Sequence, residues 1–333
     1  MINWGIIGLG RIAHTFAKDL AIVENTHLQA VASRSLGRSK EFADQYNAPY
    51  YYGSYEEIVT CPELDIVYVA TPHPSHHPNT IACLRAGIPV LCEKPFAINL
   101  REAREMVKVA HDNQVFLMEA MWTRFLPHLQ KAVELINQGA IGKLRSVKAN
   151  LGFQPPFEPE GRMFNLELGG GALLDIGVYP TFLSVLLLGK PDIVKAVSYI
   201  GTTNVDEDTS ALFLYDDGRM AQIHSSIRYL TGNDAIIYGE KGNIHLQSVW
   251  NEASWLTLNL NNQAPQEFKF DLKGQGFYLQ IQEVMNCLQN GKKESDTLPL
   301  DFSLAIMETL DRIRRSAEME YPQDKDVLVS DKR

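Results

Sequence analysis

A glycine-rich segment directly after the first apolar run is the feature that most constrains how this chain folds. Residues 8–13 read GLGRIA, which matches the spacing G-x-G-x-x-G/A between a strand pattern and a helical pattern. In such a segment the glycine at position 8 permits a tight turn, and Gly10 lets the backbone approach a pyrophosphate. The N–H groups of Arg11 and Ile12 lie at the helix N-terminus, where they attract phosphate. The segment therefore predicts a strand–turn–helix that binds a dinucleotide.

Strand and helix patterns alternate along the first third of the chain. The run from Ile66 to Ala70, for example, is apolar throughout and is bounded by Asp65 and Pro72, as expected of a parallel strand covered on both faces. This alternation predicts an α/β domain with a doubly wound parallel sheet over residues 1–122.

The rhythm changes after Trp122. Several runs of alternating apolar and polar residues lie between residues 193 and 260, and turn signals such as Asp217-Gly218 separate them. Residues 123–333 are therefore predicted to form a second, α+β domain, built on a largely antiparallel sheet with a few helices.

Composition narrows the class of partner. The net charge of −9 over 333 residues, without a run of basic residues, argues against nucleic-acid binding. The four cysteines show no C-x-x-C pair, which favours reduced thiols. No signal peptide and no apolar stretch of membrane-spanning length is expected. We therefore expect a cytoplasmic protein with no membrane partner.

The residues after the second strand pattern indicate which dinucleotide is bound. A carboxylate there usually binds the ribose 2′-hydroxyl of NAD, whereas an arginine accommodates the 2′-phosphate of NADP. This chain has Ser33-Arg34 at that point and Arg38 one helical turn later, with no acid between Gln29 and Lys40. Guanidinium groups bind phosphate bidentately, so the sequence favours NADP over NAD. The alternative is that both arginines are only solvated surface charges.

Lys94 follows a strand pattern at the edge where ligands of open α/β sheets bind. Burial and a neighbouring positive charge can lower the pKa of such a lysine, so that it serves as an acid or base. An ordinary surface lysine at a strand end is the alternative.

Asp175 and Tyr179 are four residues apart in an apolar helical pattern after three glycines. This spacing puts them on one helical face, and two buried polar groups there need partners. Asp175 could orient Lys94, and Tyr179 could exchange a proton with a substrate hydroxyl. An acid favoured by the helix dipole and a core-edge tyrosine explain the pattern equally well.

The loop after another strand pattern carries Thr71, His73 and His76. A further ligand at metal-site spacing is not evident, so the sequence predicts no metal. The loop is interpreted as contacting the cofactor, with His76 near its nicotinamide half, although His73 could be only structural.

Taken together, these motifs resemble the Gfo/Idh/MocA oxidoreductase family. Residues 119–125, EAMWTRF, are similar to the subgroup that contains dimeric dihydrodiol dehydrogenase and glucose-fructose oxidoreductase. The resemblance implies a Rossmann domain followed by a domain with an open-faced mixed, mostly antiparallel sheet. It also implies a homo-oligomer, dimer or tetramer, that associates through that sheet.

The resemblance also implies roles for individual residues. Lys94 and Tyr179 take part in proton transfer, and Trp122 and Arg124 lie against the nicotinamide half of NADP. As a hypothesis for the mechanism, Asp175 tunes Lys94 and Tyr179. The contacts expected with the cofactor also include the residues that flank the lysine, Glu93 and Pro95.

The implied reaction is hydride transfer between the nicotinamide C4 and a carbinol or carbonyl carbon of a sugar, polyol or dihydrodiol. Four side chains are candidates for lining the substrate pocket, although each could equally belong to a core or an interface: Phe153, Arg162, Trp250 and Phe277. Two alternatives stay open, namely an NADP(H)-binding sensor without turnover and a reductase of a non-sugar carbonyl or a tetrapyrrole.

Overall fold

A computed structural model describes residues 1–328 of the chain. By their internal contacts the residues divide into two compact units. Unit 1 comprises Met1–Trp122 and Leu272–Leu304, and unit 2 comprises Thr123–Asp271 and, among the described residues, 305–328. The segment 272–304 thus packs with the first unit, and a boundary after Trp122 between two independent domains stays a prediction.

Fourteen strands are present among the described residues. They are β1 Ile2–Ile7, β2 Thr26–Ala32, β3 Tyr50–Tyr52, β4 Ile66–Val69, β5 Val90–Glu93, β6 Leu117–Ala120, β7 Leu144–Gly152, β8 Ile193–Ile200, β9 Asp206–Leu214, β10 Met220–Ser226, β11 Ala235–Gly239, β12 Gly242–Leu246, β13 Trp255–Leu260 and β14 Gln266–Lys269.

The α-helices of the same residues are α1 Arg11–Leu20, α2 Leu36–Tyr46, α3 His76–Arg85, α4 Leu100–Asn113, α5 Pro127–Asn137, α6 Val178–Leu188, α7 Phe277–Gln289 and α8 Leu300–Ser316. A π-helical turn, Leu173–Gly177, leads directly into α6.

Unit 1 is built on a six-stranded parallel sheet with the order β3-β2-β1-β4-β5-β6. Strand β4 is buried along its whole length because both faces of the sheet are covered. In the core, the ring of Phe16 on α1 stacks on Tyr68 with centroids 3.8 Å apart. The predicted doubly wound parallel sheet is confirmed.

Strand β3, Tyr50–Tyr52, was not predicted. It has only three residues at the edge of the sheet, and its side chains are half-buried or exposed. A segment this short shows no clear period, so it could not be separated from the loop around it.

Unit 2 is built on an eight-stranded sheet with the order β14-β13-β12-β11-β7-β10-β9-β8. The β7 and β10 pair is parallel, and the other neighbouring pairs are antiparallel. Helix α6 and the π-helical turn pack against β7 and β10. On the opposite face, β8 and β9 expose the apolar side chains Val197, Tyr199 and Leu212. The predicted open-faced mixed sheet is confirmed.

One stretch of unit 2 corrects the expectation about apolar length. Leu166–Leu188 is long and apolar enough to cross a membrane, with a mean hydropathy of 1.8 over an 18-residue window. However, 83% of that window is buried within the protein. Its apolar side chains therefore pack in the core of unit 2, and its composition reflects that burial.

Candidate functional site

The two glycines of the turn after β1 have different surroundings. Gly8 has φ +90°, and a Cβ on it would lie 2.7 Å from the Ala70 carbonyl oxygen at the end of β4. A Cβ on Gly10 would meet no atom within 4 Å. Gly10 is also the N-cap residue of α1, whose first N–H groups receive no side-chain cap from it. The turn therefore leaves an open cradle beside the helix N-terminus, as the pyrophosphate of a dinucleotide requires.

The end of β2 offers hydroxyl and guanidinium groups in place of a carboxylate. Ser33 is buried, and its hydroxyl donates to the Ser35 carbonyl at 2.9 Å. Ser35 caps α2 by accepting from the N–H of Arg38. The Arg38 guanidinium in turn lies 3.5 Å from the Leu9 carbonyl of the glycine-rich turn, and Arg34 is exposed. Two cationic side chains thus follow the strand, and one of them reaches the turn.

The His14 side chain on α1 lies near two cationic side chains, Lys18 and Arg38. Burial, followed by the charges of Lys18 and Arg38, lowers the pKa of His14 on α1. The His14 ring is 2.9 Å from the Tyr46 hydroxyl on α2. Burial is thus the main cause of the shift, and the two positive charges add to it.

The loop after β4 is tied to the loop after β5 through His76. Its ring nitrogens lie 2.9 Å from the Thr71 carbonyl oxygen and 2.8 Å from the Pro95 carbonyl oxygen. His73 packs edge-on against the His76 ring, with centroids 5.7 Å apart. The hydroxyl of Thr71 is buried without a hydrogen-bond partner among the described residues. The polar atoms of this loop therefore include one that a ligand could satisfy.

Glu93 holds the backbone at Lys94. One oxygen of its buried carboxylate accepts a hydrogen bond from the Tyr68 hydroxyl, and the other accepts the Lys94 N–H at 3.1 Å. The Lys94–Pro95 peptide is cis, and the Lys94 side chain is half-buried at the carboxyl end of β5. Glu93, Lys94 and Pro95 thus belong to the same sheet edge as Gly8 and Thr71.

Trp122 stacks on Phe277, with ring centroids 4.7 Å apart and planes 18° apart. Both rings are buried, and both residues belong to unit 1. Arg124 lies in the short 3-10 helix that starts at Trp122. The sequence analysis missed the pairing of Trp122 with Phe277, because 155 positions of chain separate the two and no local pattern relates them.

In unit 2, Asp175 lies in the π-helical turn and Tyr179 in the first turn of α6. The Arg162 guanidinium donates to the Asp175 carboxylate at 2.7 Å. Arg162, a candidate for the substrate pocket, is therefore a partner of Asp175. A Cβ on Gly177 would lie 2.8 Å from the Ser225 hydroxyl, so this glycine lets the helix approach β10 closely. π-helical turns occur frequently at functional sites.

The other aromatic candidates of unit 2 are held in its core. Trp250 is fully buried, and its indole N–H donates to the Asn150 carbonyl at 3.2 Å. Phe153 is half-buried and packs against a cluster that includes Phe164 and Ile227. A contribution of either ring to a substrate pocket stays a prediction. Residues 1–328 contain no group of three metal-ligating side chains that could hold a metal ion.

Glu119 was given no role by the sequence analysis. It is fully buried at the end of β6, and neither of its carboxylate oxygens has a hydrogen-bond partner among the described residues. A single carboxylate at the end of the otherwise apolar run 115–120 is the signal that could have drawn attention to it.

The sheet order of unit 1 and the open turn at Gly10 define a Rossmann-type dinucleotide-binding protein. Comparison with known families specifies the class. Residues 2–121 match the oxidoreductase family with an NAD-binding Rossmann fold, and residues 129–245 match the GFO/IDH/MocA C-terminal domain. The chain therefore belongs to the GFO/IDH/MocA family and is an NAD(P)-dependent oxidoreductase, which confirms the resemblance noted in the sequence.

Individual relatives agree with this assignment. Mouse trans-1,2-dihydrobenzene-1,2-diol dehydrogenase is 37% identical over 333 residues, covering 97% of this chain and 99% of the relative. The solved aldose-aldose oxidoreductase of Caulobacter crescentus is 27% identical, with a TM-score of 0.87 over 95% of this chain and 97% of that one. A 3-ketoreductase from Actinomadura kijaniata, solved with NADP and TDP-benzene, is 26% identical, with a TM-score of 0.86 over 95% and 98% of the two chains.

Proposed function

We propose that this oxidoreductase uses NADP(H) and acts on a carbinol or carbonyl carbon of a small diol, sugar or polyol, with Lys94 and Tyr179 handling the proton. The observation that carries the proposal is the arrangement at the carboxyl edge of the unit 1 sheet. There the open cradle at Gly10 and the backbone of Lys94, held by Glu93, lie on neighbouring strand ends. Ligands of open α/β sheets bind along this edge.

The residues that would hold the cofactor are those of the turn, the loops after β4 and β5 and the start of the 3-10 helix. They are Gly8, Gly10, Arg11, Ile12, Thr71, His73, His76, Glu93, Lys94, Pro95, Trp122 and Arg124. When bound, the nicotinamide supplies a hydride donor or acceptor at C4. The protein holds the reacting carbon in position, and this positioning supplies a large share of the lowering of the activation barrier.

The preference for NADP rests on the end of β2. Ser33 stands where an acid would select NAD, while the Arg34 and Arg38 guanidinium groups can bind a phosphate bidentately.

In the proton chemistry, Lys94 and Tyr179 would take or return the substrate hydroxyl proton. Asp175 would tune this step as the carboxylate that Arg162 holds by a 2.7 Å hydrogen bond. Arg162 thus fixes the position of the Asp175 carboxylate.

The names of the relatives support the proposed substrate class. One is named as acting on a dihydrobenzene diol, another on aldoses, and a third as reducing a ketone. The aromatic side chains Phe153, Trp250 and Phe277 would suit the flat face of a sugar ring or an aromatic diol.

Turnover of substrates tests the proposal. NADPH formation is measured across a panel of diols, sugars and inositols, and we expect at least one of them to be oxidised. Tight NADPH binding without turnover of any member would instead favour a sensor.

Lys94→Ala tests the proton role. The loss of a general acid–base typically lowers kcat about 10²–10⁴-fold, and we expect that loss with NADPH binding retained. Lys108→Ala, which removes an exposed lysine of α4, is the matched control. Full turnover by Lys94→Ala would remove Lys94 from the mechanism.

Arg34→Ala tests the cofactor preference. We expect KM for NADP to rise while KM for NAD changes little, because only NADP carries the 2′-phosphate. Arg104→Ala, on the exposed side of α4, is the control. An unchanged ratio of the two KM values would contradict the assignment to NADP.

We also propose that the chain forms a homo-oligomer through the open face of the unit 2 sheet. Val197 is 72% exposed and Tyr199 50% exposed on β8, and Leu212 on β9 is 42% exposed. Contiguous exposed apolar side chains on a sheet face are typical of an interaction surface.

A further inference from the structure

Glu119 is completely buried, and no hydrogen bond of good geometry reaches its carboxylate. Its relative exposure is 0%, and both carboxylate oxygens lack a hydrogen-bond partner among residues 1–328. Buried side-chain polar atoms are nearly always hydrogen-bonded, and an ionised carboxylate without partners is especially unfavourable in an apolar interior. A carboxyl in this position must therefore hold a proton or be balanced by a nearby positive charge.

The position of Glu119 in the sheet brings it next to the proposed site of proton transfer. In the register of β5 and β6, Glu119 is opposite Cys92, and Ala120 is opposite Glu93. Lys94 follows directly on the β5 side. Lys94 is two residues after Cys92, the residue opposite Glu119, so both side chains belong to the carboxyl edge of the sheet where β5 ends.

The groups around Glu119 act on its ionisation in opposite directions. Burial is the largest cause that raises the pKa of Glu119, to about 7, and the negative charge of Glu93 contributes to this rise. The nearby Ser303 hydroxyl and Phe96 backbone oppose this rise, although neither meets the geometry of a full hydrogen bond to the carboxyl, and so does the positive charge of Lys94. The Cys92 thiol, whose own pKa burial raises strongly, stays neutral. Lys94 is therefore the titratable neighbour on β5 whose charge favours the carboxylate.

Among the described residues, Ser303 is also buried with a hydroxyl that lacks a hydrogen-bond partner. The polar atoms beside the Glu119 carboxyl therefore do not fix it in one ionisation state, as several strong N–H donors would. Its charge is free to respond to the charge of Lys94.

We propose that Glu119 is a positioning residue for the proton chemistry at Lys94: the two groups titrate together, and the charge on the buried carboxylate sets the pH at which Lys94 gains or loses its proton. When Glu119 is neutral, Lys94 loses its proton more readily. When Glu119 is ionised, its negative charge stabilises the Lys94 ammonium. This inference rests on the proposed role of Lys94 as a proton carrier.

The variant Glu119→Gln removes the charge and keeps the shape of the side chain. We expect the Lys94-dependent limb of the pH profile of kcat/KM to move to lower pH by about one unit, because the ammonium loses its balancing charge. Glu102→Gln, the same change at another buried glutamate of unit 1, is the matched control and should leave the limb in place. A profile that does not move in a folded Glu119→Gln protein would overturn the inference.

A second measurement does not depend on turnover. The infrared difference between wild type and Glu119→Gln isolates the protonated carboxyl band of Glu119 from that of other buried acids. In the wild type we expect this band to disappear near neutral pH. In a Lys94→Gln background it should persist to a pH about one unit higher, because the effect of each group on the other is reciprocal. A band that disappears below pH 5, or at the same pH in both backgrounds, would contradict the inference.

The two measurements also separate this inference from the proposed function. If Lys94→Gln turns over at the wild-type rate, the proposed role of Lys94 fails, whatever the infrared band does. If Lys94→Gln is inactive but the Glu119 band is unmoved, only the coupling fails.

Discussion

At the scale of single residues, the two glycines of the turn after β1 are required for different reasons. Gly8 is needed by the fold, because its backbone has φ +90° and a side chain would meet the Ala70 carbonyl. Gly10 is needed by the ligand, because the space beside it is open in the protein alone.

This contrast predicts different outcomes for two alanine variants. Gly8→Ala should destabilise the protein by about 2 kcal/mol or more, through strain and overlap. Gly10→Ala should keep the wild-type melting temperature and bind NADPH at least tenfold more weakly, which corresponds to about 1.4 kcal/mol. Thermal unfolding and NADPH titration by fluorescence measure the two effects. Equal melting temperatures for both variants would contradict the assignment of Gly8 to the fold.

The buried Asp206 predicts a pH-dependent stability in unit 2. Its carboxylate accepts hydrogen bonds from the Leu173 N–H at 2.7 Å and the Thr209 hydroxyl at 2.9 Å, yet burial raises its pKa from 3.8 to about 7. A raised pKa means that the folded protein holds a proton which the unfolded chain has released. The stability that this group contributes is therefore complete below pH 3.8 and is lost as the pH rises through about 7.

Asp206→Asn is uncharged at every pH and should escape this loss. The stability of the variant relative to wild type should rise by roughly 4 kcal/mol between pH 4 and pH 8, measured by urea unfolding across that range. Asp271→Asn, at an exposed position of the same unit, should show no such trend. A flat difference for Asp206→Asn would mean that Asp206 is ionised in the folded protein throughout.

At the scale of elements, a side chain of α1 caps α7. The buried carboxylate of Asp19 accepts hydrogen bonds from the N–H groups of Gln275 at 3.0 Å, Phe277 at 2.8 Å and Tyr278 at 3.2 Å. Gly276, the N-cap residue of α7, has no side chain to do this. The helix that follows the glycine-rich turn thus also caps the helix that carries Phe277.

Asp19→Ala should therefore lower the free energy of unfolding by about 2–3 kcal/mol, because several N–H groups at the start of α7 lose their acceptor. Denaturant unfolding measures the change. The control Asp44→Ala removes an exposed ion pair with Lys40 on α2 and should cost less than about 0.5 kcal/mol. Similar losses for both variants would show that the cap contributes little.

The sequence predicted most elements but not all of their details. The strands of unit 1 were visible because a parallel strand buried on both faces is a continuous apolar run. The π-helical turn at 173–177 was not predicted, since an extra residue in one turn leaves the apolar pattern of an ordinary helix almost unchanged. Strand β12 was missed as well, because its first residues, Gly242 and Asn243, are typical of a turn.

At the scale of the whole molecule, the open sheet face of unit 2 predicts association. Val197→Lys would place a charge in the middle of the exposed apolar side chains, and we expect a wild-type dimer or tetramer to become a monomer. Light scattering after gel filtration measures the mass. Ile22→Lys, at an exposed position of unit 1, is the control and should leave the mass unchanged. A wild-type monomer would contradict the proposed interface.

The sequence alone was sufficient for the fold class, the dinucleotide turn and the family, because each depends on residues that are close in the chain and on periods that match strands and helices. Only the tertiary structure showed that Arg162 holds Asp175, that Trp122 stacks on Phe277, that Asp19 caps α7 and that Glu119 is buried without a partner. Most of these relations join residues far apart in the chain, and all depend on how side chains pack. No local pattern encodes them, because burial and hydrogen bonding are decided by the neighbours that folding brings together.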